Sequence, residues 1–412
     1  MLATGAAAAV TSSAAIAGAK PSISSDTRAL QERLICLDTH LDAPANFGRP
    51  GWDIMQRHSY EADFTQVDYP RMVEGGLDGG FFSIYTPQGP LTAEGYAAAR
   101  DAALLRAVEI REMVARNREH FELGFVSADA ARIVAAKKRV VFQSIENAWP
   151  LGTDVTLLRS FYAFGVRMTG IAHFLNNQFG DSATDPKGKT WNGLSPAGRD
   201  LVALANTLGM VLDASHSSDD VFDQMLALSK SPIMLSHSGC RAVHDHPRNI
   251  DDTRLKALAA SGGTIQINSY SSYLVTTPEN PERARAAGAI FATLRDLKAL
   301  TPKQASAAVT QAAKDMRALN KKFPVPRATF EDFMAHMRHA LDLVGPEHVG
   351  VGCDWDGGGG VTGMEDVASI PKITERLVKW GYRDPDLEKI WGGNALRVLD
   401  AAQALRTPTS PG

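Results

Sequence analysis

His40 and Asp42 stand two residues apart at the end of the apolar run RLICLDTHLDAP, residues 33–44. On an extended strand, residues two apart project from one face, so an imidazole and a carboxylate meet there as metal-type ligands. A single such pair is commonplace, because strands leaving a core usually end in polar residues. Here the design recurs. RVVFQSIEN (139–147) stops at Glu146, VRMTGIAH (166–173) at His173 and MVLDASH (210–216) at His216. PIMLSHS (232–238) reaches His237, GGTIQINSY (262–270) ends in Asn268 and Tyr270, and HVGVGCDWDG (348–357) reaches Asp354.

Imidazole and carboxylate together suit zinc, and a set larger than three argues for two ions sharing a bridging group. Glu146 can bridge through its two oxygens. Two Zn²⁺ ions would be balanced by Asp42, Glu146, Asp354 and one hydroxide, leaving the site neutral.

With GGLDGGFFSIYTP (75–87), these segments make eight strand-like runs, most of them separated by stretches of helical period such as SPAGRDLVALANTLG. Residues 92–119 carry a helical pattern of their own. Alternating strands and helices predict a parallel sheet, and eight units predict an α/β fold of the closed (β/α)8 TIM-barrel type. In such a barrel the strand ends converge on one mouth, which is where the ligand-type residues lie. A doubly wound open sheet is the alternative, but no G-x-G-x-x-G turn follows the first strand. The Gly- and aromatic-rich loop NFGRPGWDIMQRHSY suits a pocket wall. The stretch 275–345 reads as an elaborated crossover between the seventh and eighth strands and as a candidate homodimer contact.

At 412 residues and 44% hydrophobic composition the chain can bury a large core. A net charge of -3 gives no basic footprint for nucleic acid and no polybasic membrane patch. Cys36, Cys240 and Cys353 are too scattered for a disulfide framework and read as buried thiols. The Ala-rich residues 1–25 form a disordered or signal-like segment without a basic n-region, residues 26–405 one metal-dependent barrel domain, and 406–412 a flexible tail. The compartment is periplasmic or exported if that segment is a signal, and cytoplasmic otherwise.

Other polar residues are assigned plainer roles. His336 and His339 read as a solvated helix face, and His244 and His246 as part of the loop that positions Arg248. Cys353 turns away from the mouth by strand alternation. Arg241 is open between a structural salt bridge and substrate contact. Asp356 shares the face of Asp354 but precedes GGGG, where the strand finishes.

The chain resembles the membrane (renal) dipeptidase family, di-zinc barrel enzymes related to the amidohydrolases. The resemblance runs from LDTHLDAP through QSIEN, DASHSS, LSHSGCRAV with HPRN, and VGVGCDWDG to EDVASIPKITERLVKWGYRDPDLEKIWGGNALRVL. It implies two Zn²⁺ per chain, one held by His40 and Asp42, the other by His216 and His237, with Glu146 between them. It further implies that His173 contacts substrate and steadies the tetrahedral intermediate, that Arg248 holds the substrate carboxylate, and that Asp354 handles protons. Where the family commonly has Glu-Gly-Gly-His, this chain has Glu146-Asn147-Ala148-Trp149, which predicts a bulkier pocket.

The activity so implied is hydrolysis of dipeptides with a free C-terminal carboxylate by a metal-bridging hydroxide. Two other readings use the same residues: a binuclear hydrolase acting on another amide, a lactone or a modified peptide, and a non-catalytic barrel.

Overall fold

The computed structural model describes residues 23–407. The signal-like expectation therefore falls almost wholly outside the described residues, as does most of the tail. A helix begins at Ser25, capped by the Ser24 side chain.

Among the described residues nine strands run parallel: β1 (Leu37–Leu41), β2 (Gly79–Ile84), β3 (Phe121–Leu123), β4 (Arg139–Ile145), β5 (Val166–Thr169), β6 (Val211–Leu212), β7 (Met234–Ser238), β8 (Thr264–Ile267) and β9 (Val349–Val351). They form two curled sheets. One has the order β1-β2-β4-β5-β6 with β3 beside β4, and the other the order β7-β8-β9. Single parallel bridges join Asp213 to Met234 and Leu41 to Trp355 at the two junctions. Every residue of β1, β2 and β7 is buried, as expected of parallel strands covered on both faces.

β3 is the strand the pattern did not reveal. It is three residues long and pairs with β4 at Arg139–Val141, upstream of the Gln143–Ile145 segment where β5 takes over. A strand this short carries too few residues to show a period.

Two predicted strands stop early, for identifiable reasons. β6 ends at Leu212 because the Asp213 carboxylate accepts the Ser215 N–H at 2.9 Å, an Asx turn that curls the chain away from the ladder. β9 ends at Val351. Beyond it the Cys353 N–H donates to the Asp38 carboxylate at 3.0 Å, and Asp354 takes a φ of +63°.

The long crossover lies between β8 and β9 and carries helices Pro281–Ala292, Pro302–Lys322 and Phe330–Val344. Thr301 and Thr329 each start a helix with a reciprocal capping box, which satisfies two otherwise unpaired donors at each helix start. The last of these helices buries Phe333, Met334, His336, Met337, Ala340 and Leu341. His336 is thus no part of a solvated face. It is fully buried, and its Nδ1 accepts the Cys240 N–H at 2.9 Å. His339 does reach the surface, where it pairs with Asp252 at 2.7 Å. No described helix is long and apolar enough to cross a membrane.

Candidate metal centre

Because the strands are parallel, their C-terminal ends share one side of the sheet, and the predicted residues leave from there. His40 lies within β1 and Asp42 just after it; Glu146 follows β4 directly; His237 lies within β7. His173, His216 and Asp354 sit on the loops after β5, β6 and β9. His216 and Asp354 have φ of +64° and +63°, a conformation unfavourable for residues with a Cβ and typical of functional sites.

All seven come together around Glu146. Its Oε2 lies 3.6 Å from His40 Nε2. Its Oε1 lies 3.1 Å from His216 Nε2, and 3.4 Å from both His237 Nε2 and His173 Nε2. His40 Nε2 is 3.4 Å from Asp42 Oδ2. Three overlapping groups each bring their ligand atoms within 4.8 Å of one another: His40, Glu146 and His237; Glu146, His173 and His216; and His40, Asp42 and Asp354. Asp354 therefore stands at ligand distance, not apart from the metal-type residues.

The donor set fits a divalent cation. His40 Nε2, turned toward Glu146 and Asp42, is buried without a hydrogen-bond partner, while His216 Nε2 and His237 Nε2 face each other at 2.9 Å. Lone pairs buried this way are costly unless a positive charge sits among them.

The electrostatics agree. Burial pushes the Glu146 carboxyl up, but His40, His173, His216 and His237 more than reverse this and hold it well below the usual range. Burial pushes His216 and His237 well below the usual imidazole value, with Arg248 adding to the effect. They are accordingly neutral, the form that ligates metal. Burial drives Asp354 well above the carboxylate range, and the neighbouring charges of Asp42 and Glu146 add to it. His40 is lowered by burial but raised further by Glu146 and Asp42 and ends well above its ordinary value. Three carboxylates in one buried cluster draw positive charge to it.

Beside the cluster lies a cavity of about 260 Å³, lined by Asp42, Glu146, His173, His216 and Asp354 together with Tyr85, Phe174, Tyr270 and Tyr273. Tyr270 was legible as a strand end, whereas Tyr85, Phe174 and Tyr273 were missed by the sequence reading, although Tyr85 directly follows β2 and the strand-end rule could have found it. Asp356 also lines the cavity, although its strand has already ended. Gly357 explains part of the glycine run: a Cβ there would come within 2.1 Å of both Asp354 Oδ1 and Asp42 Oδ2.

Arg248 does not line this cavity. It is buried next to it, sharing a small adjoining void with His216, and donates to Ser238 Oγ and to the His237 carbonyl, each at 2.9 Å. Its Nε–H is buried without a partner. His246 helps to place it, accepting the Arg248 N–H at 3.1 Å. Arg241 is structural: it forms a fork with Asp219 at 2.8 and 2.9 Å. Trp149 does not crowd the pocket as expected. Asn147 Oδ1 accepts the Trp149 N–H at 3.1 Å, a local turn, and the ring packs near Gly89. The three cysteines are free and buried.

A sequence profile described as Membrane dipeptidase (Peptidase family M19) matches residues 24–411. The dipeptidase tcpJ of Claviceps purpurea is 30% identical over 344 residues, covering 81% of this chain and 68% of that protein. Among solved structures, the probable dipeptidase PvdM from Pseudomonas aeruginosa is similar with a TM-score of 0.77 at 28% identity, over 92% of this chain and 98% of that one. A metallo peptidase from Rhodobacter sphaeroides, liganded with a phosphinate mimic of the dipeptide L-Ala-D-Ala, gives a TM-score of 0.68 at 25% identity, over 90% and 99% of the two chains.

Proposed function

The chain belongs to the membrane dipeptidase family, peptidase family M19, and on that premise we propose that it is a zinc-dependent dipeptidase acting on dipeptides with a free C-terminal carboxylate. The observation that carries this reading is the division of Glu146, whose Oε2 faces His40 while Oε1 faces His216 and His237. That division supports two metal positions. His40 and Asp42 would hold one zinc and His216 and His237 the other, with Glu146 shared between them. When bound, the two ions lower the pKa of a water to near neutral and polarise the scissile carbonyl.

The chain's own groups do the rest. Asp354 takes the proton of the attacking water on a carboxylate oxygen and returns it to the leaving amine nitrogen. His173, kept below its ordinary value mainly by burial, presents Nε2 to the oxyanion as it develops. From its buried place beside the cavity, Arg248 draws the substrate carboxylate by its charge, and its unpaired Nε–H is the donor left for it. Tyr85, Phe174, Tyr270 and Tyr273 surround the bound dipeptide and exclude water.

We read the two curled sheets as one (β/α)8 barrel, and the bridges at Asp213–Met234 and Leu41–Trp355 support that closure. The function is tested by assaying zinc-loaded protein against a library of L-L and L-D dipeptides. Hydrolysis of a subset is expected; no turnover of any member overturns the proposal.

A further inference from the structure

Of the three deeply buried imidazoles in the cluster, His237 alone has a partner for the nitrogen facing away from it. His237 Nδ1 lies 2.8 Å from Ser236 Oγ, whereas the Nδ1 atoms of His40 and His216 have none. Ser236 Oγ in turn lies 2.5 Å from Asp213 Oδ2. The other carboxylate oxygen, Oδ1, accepts the N–H groups of Ser215 and Ser236, both at 2.9 Å.

The direction of these bonds follows from the inventory of protons. A carboxylate only accepts, and a serine hydroxyl has one proton to give. Ser236 gives that proton to Asp213, so its oxygen must accept from His237 Nδ1–H. The imidazole is thereby fixed with its proton on Nδ1 and its lone pair on Nε2, the nitrogen that faces Glu146 Oε1 and His216 Nε2.

The same carboxylate organises the neighbouring loop. Its turn at Ser215 leads directly into His216, and Ser215 Oγ accepts the His237 N–H at 3.1 Å. Thr39 Oγ1 donates to the Ser236 carbonyl at 2.5 Å and anchors the arrangement to β1. Asp213, Ser215, Ser236 and His237 are all at most 2% exposed, so these bonds are shielded from bulk solvent.

We propose that Asp213 and Ser236 are positioning residues that set the metal affinity of the His216–His237 pair by fixing the tautomer and ring plane of His237. The proposal rests on the metal-centre reading above. Groups of this kind, one bond beyond the ligands, typically change metal affinity by about 10- to 100-fold when removed. The effect should fall on one of the two positions, because His40 makes no bond to Ser236 or Asp213 through either ring nitrogen.

The test is a zinc titration of metal-free protein against a chromophoric chelator. Ser236→Ala should weaken one zinc position by about 10- to 100-fold and leave the other near wild type, and Ser236→Thr, which keeps the hydroxyl, should restore it. Unchanged affinities, or an equal loss at both positions, overturn the proposal. A second measurement needs neither a variant nor metal: the ¹⁵N shifts of His237 in zinc-free wild-type protein should report the Nδ1–H tautomer. An Nε2–H tautomer overturns the assignment even if the dipeptidase reading stands. Failure of wild-type protein to bind zinc overturns the metal reading instead, and the tautomer measurement still decides the hydrogen-bond relay.

Discussion

His216 Nε2 and His237 Nε2 face each other across 2.9 Å, and Glu146 Oε1 lies within 3.4 Å of both. On the proposed reading, these two imidazole nitrogens and carboxylate oxygen are the ligands of one metal, and His40, Asp42 and Glu146 Oε2 those of a second. Purified protein equilibrated with zinc should hold close to two ions per chain, and His216→Ala should lose mainly one. Elemental analysis finding a single ion in saturated wild-type protein would sink the two-metal arrangement.

Removing the metals should also destabilise the fold. A ligand that binds only the native state stabilises it by RT ln(1 + [L]/Kd), about 4 kcal/mol at a thousandfold excess over Kd. Chelator-treated protein should therefore melt at a lower temperature, and zinc should restore the original Tm. Calorimetry showing the same Tm with and without zinc would contradict metal binding by the buried cluster.

Asp354→Asn keeps the size of the side chain and an oxygen donor while removing the base. Since Asp354 lies at ligand distance from His40 and Asp42, the retained amide oxygen should preserve zinc content at saturating metal. General acid-base groups contribute about 10²- to 10⁴-fold, so kcat should fall by roughly that factor. An unchanged kcat would remove Asp354 from proton transfer.

Arg248 is held by Ser238 Oγ and the His237 carbonyl through separate nitrogens. Arg248→Lys keeps the charge but cannot make both bonds and still offer a further donor in a fixed plane. Activity on free dipeptides should fall sharply, and dipeptide amides should be poor substrates for the wild type. Equal turnover of free and amidated dipeptides would show that Arg248 does not read the carboxylate.

His336 provides a stability test away from the site. His336→Ala leaves the buried Cys240 N–H without its acceptor, which costs about 1–3 kcal/mol before any cavity term. Burial lowers His336 to about 4, below the ordinary imidazole value expected in the unfolded chain. Its contribution is therefore fully present above about pH 6.5 and is lost as the pH falls toward 4. Denaturant unfolding at neutral pH and at pH 5 should show a steeper loss for wild type than for His336→Ala. Identical pH dependence would place the proton elsewhere.

The members of the buried cluster could be read from residue order. His40, Asp42, Glu146, His173, His216, His237 and Asp354 were legible because each ends an apolar run, and parallel strands have one common end to which such residues go. The long crossover was legible for a similar reason, as a break in the strand-helix rhythm. What each residue touches depends on contacts between distant segments, which residue order does not show. The period of a helix does not say how wide a neighbouring loop is, so the helical pattern puts His336 at the surface whereas the 239–240 turn covers it. Trp149 looked like a pocket wall because its neighbour is Glu146, yet the Asn147 turn carries it away. Asp213 sits in DASH without any mark of its role, because the Ser236 hydroxyl that gives it one lies 23 positions away and reaches it only when β6 and β7 lie side by side. Chain order fixes what a residue can do chemically, whereas long-range pairing fixes which partner it meets.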